Sequence, residues 1–345
     1  MDGISTSSVP PRYWYSTGNF ALNRIISGSF YKGIPQGRIT DLAGSSGSGK
    51  SFLAANLVKA AQAAGALVLI IDSENALDDE FMGKIGVKTG VDNDYYYVGV
   101  TTIPEVTEVI SKFLKGYKKE AGTSADARQV FILVDSLDML MTETEVEHYE
   151  KGDQKGDQGQ RNKQLKAMLR TFVQDIKQLN VIMVCTSQVY KNQDLKSGDG
   201  VWIVSEAVKY ACSQIILLTK LKLKDAASAV TGIRMTAEGY KSRFSLPFQK
   251  IVVEVPYASG MSAYSGLVEA AQELGVVVKK GSRYSIVGQE TSWYASSIDE
   301  HADEIIKLCE LKSDHKLIGD LIDGEIDSTA EPTAKSRRDE KARNA

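Results

Sequence analysis

The sequence predicts an α/β fold, a mostly parallel sheet with helices on both faces, followed by a small C-terminal α+β unit. Three observations predict it. Gly44-Ser45-Ser46-Gly47-Ser48-Gly49-Lys50-Ser51 satisfies a phosphate-loop pattern, a glycine and four free positions before Gly-Lys-Ser. Unbroken apolar runs alternate with helical stretches, which is how strands buried on both faces read. Carboxylates stand just after two of those runs, where the carboxyl ends of parallel strands build sites.

Residues 1–12 are rich in Ser, Thr and Pro and read as a flexible N-terminal arm. Tyr13-Trp14-Tyr15-Ser16-Thr17-Gly18 begins the lead-in to the first strand, with Gly33-Ile34-Pro35-Gln36-Gly37 as a turn before it. A strand over 38–43 enters the phosphate loop and a helix over 51–64 leaves it. Next come a strand at 66–71, a helical stretch at 79–85, a short strand at 95–100, a helix at 103–117 and an apolar strand at 130–134. Glu143 to Lys163 carries Lys151-Gly152-Asp153-Gln154 and Lys155-Gly156-Asp157-Gln158, a tandem polar tetrapeptide with nothing to bury, and reads as a mobile loop. A helix over 164–179 sets Leu165, Met168, Leu169, Phe172, Val173 and Ile176 on one face, a core stripe. A strand at 181–185 leads to a second polar loop, Tyr190 to Gly200, and strands at 214–219, 232–237 and 251–255 extend the sheet.

The core is therefore expected over 13–260, with the two loops at about 143–163 and 189–204. A small unit over 261–326 contains helices at 267–274 and 297–311 and a hairpin at 276–284. Residues 327–345 mix charges with almost no apolar residues and read as a disordered tail. A net charge of −3 excludes reading nucleic-acid binding from overall charge, so any such binding needs local basic loops. Cys185, Cys212 and Cys309 lack metal-ligand spacing and read as buried free thiols in a reducing cytosol. No apolar run reaches membrane-spanning length, which points to the cytoplasm.

The phosphate loop carries the chemistry. Its glycines let the backbone aim several N–H groups at one phosphate, and the following helix adds the positive end of its dipole. Gly44, Ser45, Ser46, Gly47, Ser48 and Gly49 would cradle the phosphates, Lys50 would reach the β- and γ-phosphates, and the Ser51 hydroxyl would ligate Mg²⁺. Asp135 follows Val130-Phe131-Ile132-Leu133-Val134 and suits a carboxylate that holds Mg²⁺ with its water shell; because Asp135-Ser136 precedes Leu137-Asp138-Met139-Leu140, it also suits a helix N-cap. Glu74 follows the second strand, where a carboxylate can orient or deprotonate a water; the bland alternative is a helix-starting acid.

Several motifs, in order over roughly 13–285, resemble the RecA recombinase family, and most its tailed-phage UvsX branch. They are Ser16-Thr17-Gly18 with Gly33-Ile34-Pro35-Gln36-Gly37-Arg38-Ile39, Ile71-Asp72-Ser73-Glu74-Asn75-Ala76-Leu77-Asp78, Leu133-Val134-Asp135-Ser136, Glu238-Gly239-Tyr240-Lys241-Ser242-Arg243, Tyr264-Ser265-Gly266-Leu267-Val268 and Leu274-Gly275-Val276-Val277-Val278-Lys279. The resemblance implies an ATP- and Mg²⁺-using recombinase core with Glu74 as catalytic base and Gln188 as sensor of the γ-phosphate. It implies that Lys241 and Arg243 reach the neighbouring subunit's ATP; on an extended segment their alternate spacing points both to one side, as a solvated loop pair would also do. Asp78 and Phe81 would meet the adenine by hydrogen bond and stacking, with ordinary core packing the alternative for Phe81.

The two polar loops stand where the family keeps its DNA loops. The first offers Lys151, Lys155, Arg161 and Lys163, and the second Tyr190, Lys191, Lys196 and Trp202, cations for phosphates and rings to stack or wedge between bases. Charged loops are also commonly just solvated. The implied function is a filament on single-stranded DNA that pairs it with double-stranded DNA, served by single-strand-binding and mediator proteins in the cytosol of a bacterium or a phage-infected host. Rival readings are a ring helicase motor on the same core and an ATP-binding paralog that loads or caps a partner's filament. Two departures stand out. The segment before Tyr13 is short for the family's polymerisation contact, and the tail ends in Lys335, Arg337, Arg338, Lys341 and Arg343 where the family's tails are acidic.

Overall fold

The computed structural model describes residues 10–153, 159–192 and 201–313. The arm through residue 9, Lys155, Lys196 and the tail lie outside the described residues. The chain divides into two compact units between Ala270 and Ala271, where the sequence reading sets the boundary at 260/261.

In the first unit the apolar runs join into one eight-stranded sheet. Its strands are β1 (Ile39–Gly44), β2 (Leu67–Asp72), β3 (Tyr95–Gly99), β4 (Val130–Asp135), β5 (Val181–Ser187), β6 (Gln214–Lys224), β7 (Val230–Lys241) and β8 (Lys250–Pro256). The spatial order is β8-β7-β6-β1-β5-β4-β2-β3. Every neighbouring pair from β6 to β3 is parallel, while β7 runs antiparallel to β6 and β8 to β7. Every residue of β1, β4 and β5 is buried, which is why β4 and β5 read as apolar runs without alternation, while β1 also buries Thr40 and Asp41.

Helices cover both faces. On one side α4 (Ile103–Ala121) and α6 (Gln160–Ile176) bury Val106, Ile110, Leu114, Leu165, Leu169 and Phe172 against Ile71, Ile132 and Met183 of the sheet. Thr102 and Glu105 close a capping box that fixes the start of α4. On the other side α2 (Lys50–Ala63) buries Leu53, Leu57 and Val58. Ahead of the sheet, α1 (Phe20–Ser27) is capped by the Asn19 side chain and ended by Gly28 at φ 84°.

The stretch Glu143–Lys163 corrects the expectation of a loop, because it holds α5 (Glu143–Glu150) and the first turn of α6. None of α5 is buried, so hydrophobic periodicity is silent there; a capping box between Thr142 and Glu145 starts the helix. In the second polar loop, Tyr190–Lys191 pairs antiparallel with Trp202–Ile203, and α7 (Glu206–Ala211) follows. The division between units falls within α8 (Leu267–Glu273). The second unit has a hairpin of Val277–Lys280 with Arg283–Ile286. Trp293 stacks between Tyr284 and His301 at centroid distances of 5.4 and 5.1 Å, and a helix over 302–313 buries Ile305, Ile306 and Cys309.

Candidate functional site

Parallel β1, β5, β4 and β2 deliver their carboxyl ends to one edge of the sheet, with Ala43 level with Ser187 and Asp72 level with Asp135. The phosphate loop, Glu74, Asp135 and Gln188 therefore leave the sheet at the same edge. A Cβ on Gly44 would stand 2.3 Å from Ser48 Oγ and 2.5 Å from the Leu218 carbonyl, so only glycine fits the start of the loop. Gly47 and Gly49 turn it through φ of 65° and 102°. Lys50 lies along the loop, its Nζ donating to the carbonyls of Gly44 (2.9 Å) and Ser45 (3.2 Å).

Asp135 is buried; its Oδ1 accepts from the Thr186 hydroxyl, and its Oδ2 has no hydrogen-bond partner. Burial raises its pKa, opposed by the Thr186 and Ser51 hydroxyls and reinforced by the charges of Glu74 and Asp72. A hydroxyl beside a buried carboxylate with a free oxygen, in a surplus of negative charge, is a donor set that fits Mg²⁺, which takes few protein oxygens and keeps its waters.

Glu74 is exposed, and its Oε1 accepts from the Ser136 hydroxyl at 2.5 Å. The loop carrying it is organised by Asp72, which sequence reasoning passed over. The buried Asp72 carboxylate accepts from the backbone N–H groups of Glu74 and Asn75 (2.8 Å each) and of Ala76 and Leu77 (3.0 Å each), and from the Tyr97 hydroxyl. Ser73 Oγ donates to the Ser136 carbonyl (2.7 Å) and accepts from its N–H (3.0 Å), locking the two acidic strand ends together. An Asp ahead of a run of small and polar residues is the available sequence signal for such a turn. Asp72→Ala should lower stability by about 2 kcal/mol in urea unfolding with an unchanged m value, because its N–H partners lose a shared acceptor. A variant as stable as the parent would remove Asp72 from this role.

A second missed carboxylate lies beneath the loop. Asp41 in β1 is fully buried, accepts from Ser187 Oγ at 2.7 Å on one oxygen and has no partner on the other. Burial pushes its pKa up to about 8; the Asp138 charge adds to the rise, while the Ser187 hydrogen bond and Lys50 oppose it.

The other expected residues are placed as follows. Asp78 caps α3 (Asp79–Ile85), accepting from the Phe81 N–H at 2.7 Å, and Phe81 is half-buried. Gln188 is exposed, and its N–H donates to Asp138 Oδ2 at 2.6 Å. The same Asp138 accepts from the Tyr190 hydroxyl at 2.6 Å and lies 3.8 Å from Arg161, whose guanidinium also donates to the carbonyls of Leu140 and Leu137. Asp138 thus ties Gln188 to one residue of each basic loop. Lys151 pairs with Glu147 at 3.6 Å, Lys163 is exposed in the first turn of α6, and exposed Lys191 and Trp202 are cross-strand partners.

Lys241 and Arg243 do not join this edge. Because β7 is antiparallel, Lys241 stands opposite Ile215, and Ile215 is level with Asp41 in β1, so the chain leaves β7 away from the phosphate loop. Lys241 Nζ donates to the Lys209 carbonyl, and burial, then the Arg243 charge, lowers its pKa. Arg243 is exposed and lines a cavity of about 350 Å³ with Arg38, Lys166, Arg170, Lys177 and Tyr210.

A phosphate loop at the head of a parallel sheet, faced by two acidic strand ends, defines a P-loop nucleotide-binding fold. Residues 13–262 match the family model of the RecA N-terminal domain. The chain belongs to the RecA family. It is 28% identical over 291 residues to Protein RecA of Frankia casuarinae, covering 81% of this chain and 76% of that one. It is 25% identical over 297 residues to Protein RecA of Syntrophus aciditrophicus (83% and 80% covered), and 27% identical over 294 residues to that of Aquifex aeolicus (84% and 80%). The protein is a RecA-like recombinase, of a family of DNA-dependent ATPases that use ATP with Mg²⁺ and form filaments on DNA. Among the described residues no helix is long and apolar enough to cross a membrane.

Proposed function

We propose that the protein hydrolyses ATP between the subunits of a helical filament on single-stranded DNA, and that this filament pairs homologous double-stranded DNA and exchanges strands with it. The observation that carries the reading is the direction of β7. Lys241 and Arg243 leave the sheet at the edge away from their own phosphate loop, so they complete a site only on another protomer. Lys50 and the loop amides hold the phosphates, with Ser51 and Asp135 as the oxygen donors for Mg²⁺ and Asp78 and Phe81 toward the adenine. Bound Mg²⁺ supplies charge neutralisation on the phosphate oxygens. Glu74, steadied by Ser136, orients the attacking water and takes its proton. The neighbour's Lys241 and Arg243 stabilise charge that develops on the transferred phosphoryl group.

Gln188 reads the γ-phosphate and passes its state to the DNA loops, a coupling supported by its link through Asp138 to Tyr190 and Arg161. Lys151, Lys155, Arg161, Lys163, Lys191 and Lys196 neutralise backbone phosphates, and Tyr190 and Trp202 stack on or wedge between bases. Within the family we assign the chain to the tailed-phage UvsX branch, from its Tyr264–Val268 and Leu274–Lys279 segments, acting in the bacterial cytosol with single-strand-binding and mediator proteins. ATP turnover should rise steeply with protein concentration and with single-stranded DNA. Lys50→Ala and the double variant Lys241→Ala/Arg243→Ala should each be inactive alone, and an equal mixture should recover roughly a quarter of wild-type turnover, the share of random interfaces that join an intact loop to an intact clamp. Full activity of the double variant alone would refute the shared site.

A further inference from the structure

We propose that Lys220 is a further nucleotide-binding residue, a cation supplied in cis that closes over the tip of the phosphate loop and contacts the phosphates of bound ATP. The assignment rests on the loop being a nucleotide site. β6 pairs with β1 only from Gln214 to Leu218, the partner of Gly44. Beyond that point β1 has become the phosphate loop, while β6 continues to Lys224 alongside it, paired with β7. Side chains alternate along a strand, so Leu218, Lys220 and Lys222 share one face with their cross-strand partners Ala237, Met235 and Ile233. That face looks onto the loop from two directions. Met235 Sδ and Ile233 Cδ1 stand 3.0 and 3.7 Å from where a Cβ on Gly49 would be, and Lys220 Nζ stands 2.5 Å from the same point on Gly47.

The ammonium is uncompensated there. Among the described residues no carboxylate pairs with Lys220, and Arg234, whose partner is Glu254 at 2.7 Å, belongs to the opposite face as the cross-strand partner of Leu221. It sits at the tip of a loop whose backbone leads into the positive amino end of α2. A cation held in such a field gains a partner only when an anion enters the loop, and several adjoining phosphates supply that charge. Lys50 is engaged with the carbonyls of Gly44 and Ser45 at the base of the loop, so the two lysines address the phosphates from base and tip.

Isothermal titration of the full chain with Mg²⁺–ATPγS, without DNA, tests this on wild type, Lys220→Ala, Lys220→Arg and Lys50→Ala. Lys220→Ala should bind roughly 5- to 30-fold more weakly and with a shallower salt dependence, and Lys220→Arg should recover most of the loss. Thermal melting without nucleotide should match wild type, since the side chain is exposed. If wild type binds, Lys50→Ala does not, and Lys220→Ala binds within twofold of wild type, the assignment of Lys220 is overturned while the nucleotide site stands. If wild type itself takes up no ATPγS, both fall. Unchanged ATPγS affinity with weakened single-stranded DNA binding would assign the ammonium to DNA and overturn the proposal as well.

Discussion

Glu74→Gln should bind Mg²⁺–ATP with wild-type affinity and lose DNA-stimulated turnover by about 10²- to 10⁴-fold, the usual contribution of a positioned general base. The substitution preserves shape. A glutamine oxygen can still accept from the Ser136 hydroxyl, and the Asp72 carboxylate still gathers the backbone of the loop. What is lost is the capacity to take a proton from water. The effect should fall on kcat with KM for ATP unchanged, because Glu74 is not among the groups proposed to hold the phosphates. Assemblies of this variant should also persist in the ATP state and hold DNA longer. Turnover within twofold of wild type would remove Glu74 from the chemistry and send the search to other acids at this edge.

Asp41→Asn should change how stability depends on pH. In the unfolded chain an aspartate ionises near 3.9, roughly the reference value, whereas burial pushes the folded Asp41 up to about 8. Between these values the folded chain holds a proton that the unfolded chain has released. Unfolding free energy therefore falls as pH rises through that window, by about 1.4 kcal/mol per unit, and levels off above the folded pKa. By pH 7 the loss amounts to about 4 kcal/mol. Asparagine removes the ionisation, at a cost of about 1–3 kcal/mol for an amide N–H₂ placed where Asp41 Oδ1 has no partner. The variant should be less stable than wild type near pH 4, where the wild-type loss has barely begun, and the equal or better of the two near pH 8, in urea unfolding without nucleotide. Parallel stability curves across pH 5–8 would show that Asp41 keeps an ordinary pKa. Some slope should remain in the variant, since burial raises the Asp135 pKa in the same direction.

The parts of this molecule legible in sequence are those where one physical cause dominates. Strands buried on both faces favour apolar side chains, so β4 and β5 stand out as runs. The phosphate loop is legible because its backbone tolerates only glycine where Ser48 and Leu218 crowd it. The parts that were missed depend on contacts between distant segments. Asp72 and Asp41 look like any acid in a strand until the fold places four amides around one and seals the other beneath the loop. Arg161 reads as a free loop cation, yet its donors meet the carbonyls of Leu137 and Leu140 more than twenty positions back. Helix α5 has no buried side and only its cap to announce it. The outer half of β6, beyond Thr219, escapes because a strand that projects past its parallel neighbour needs no apolar pattern, and lysines alternate with leucines there.

The reversal of β7 sets a rule for counting. If each active centre needs the phosphate loop of one protomer and the cations of the next, a row of n protomers owns n − 1 working centres. A solitary chain owns none. The row has two unlike ends, one showing an uncovered nucleotide and the other an unused pair of cations. Growth, loss of subunits and any capping factor can therefore tell the ends apart by charge alone, and the polarity of the assembly is written in the direction of a single strand.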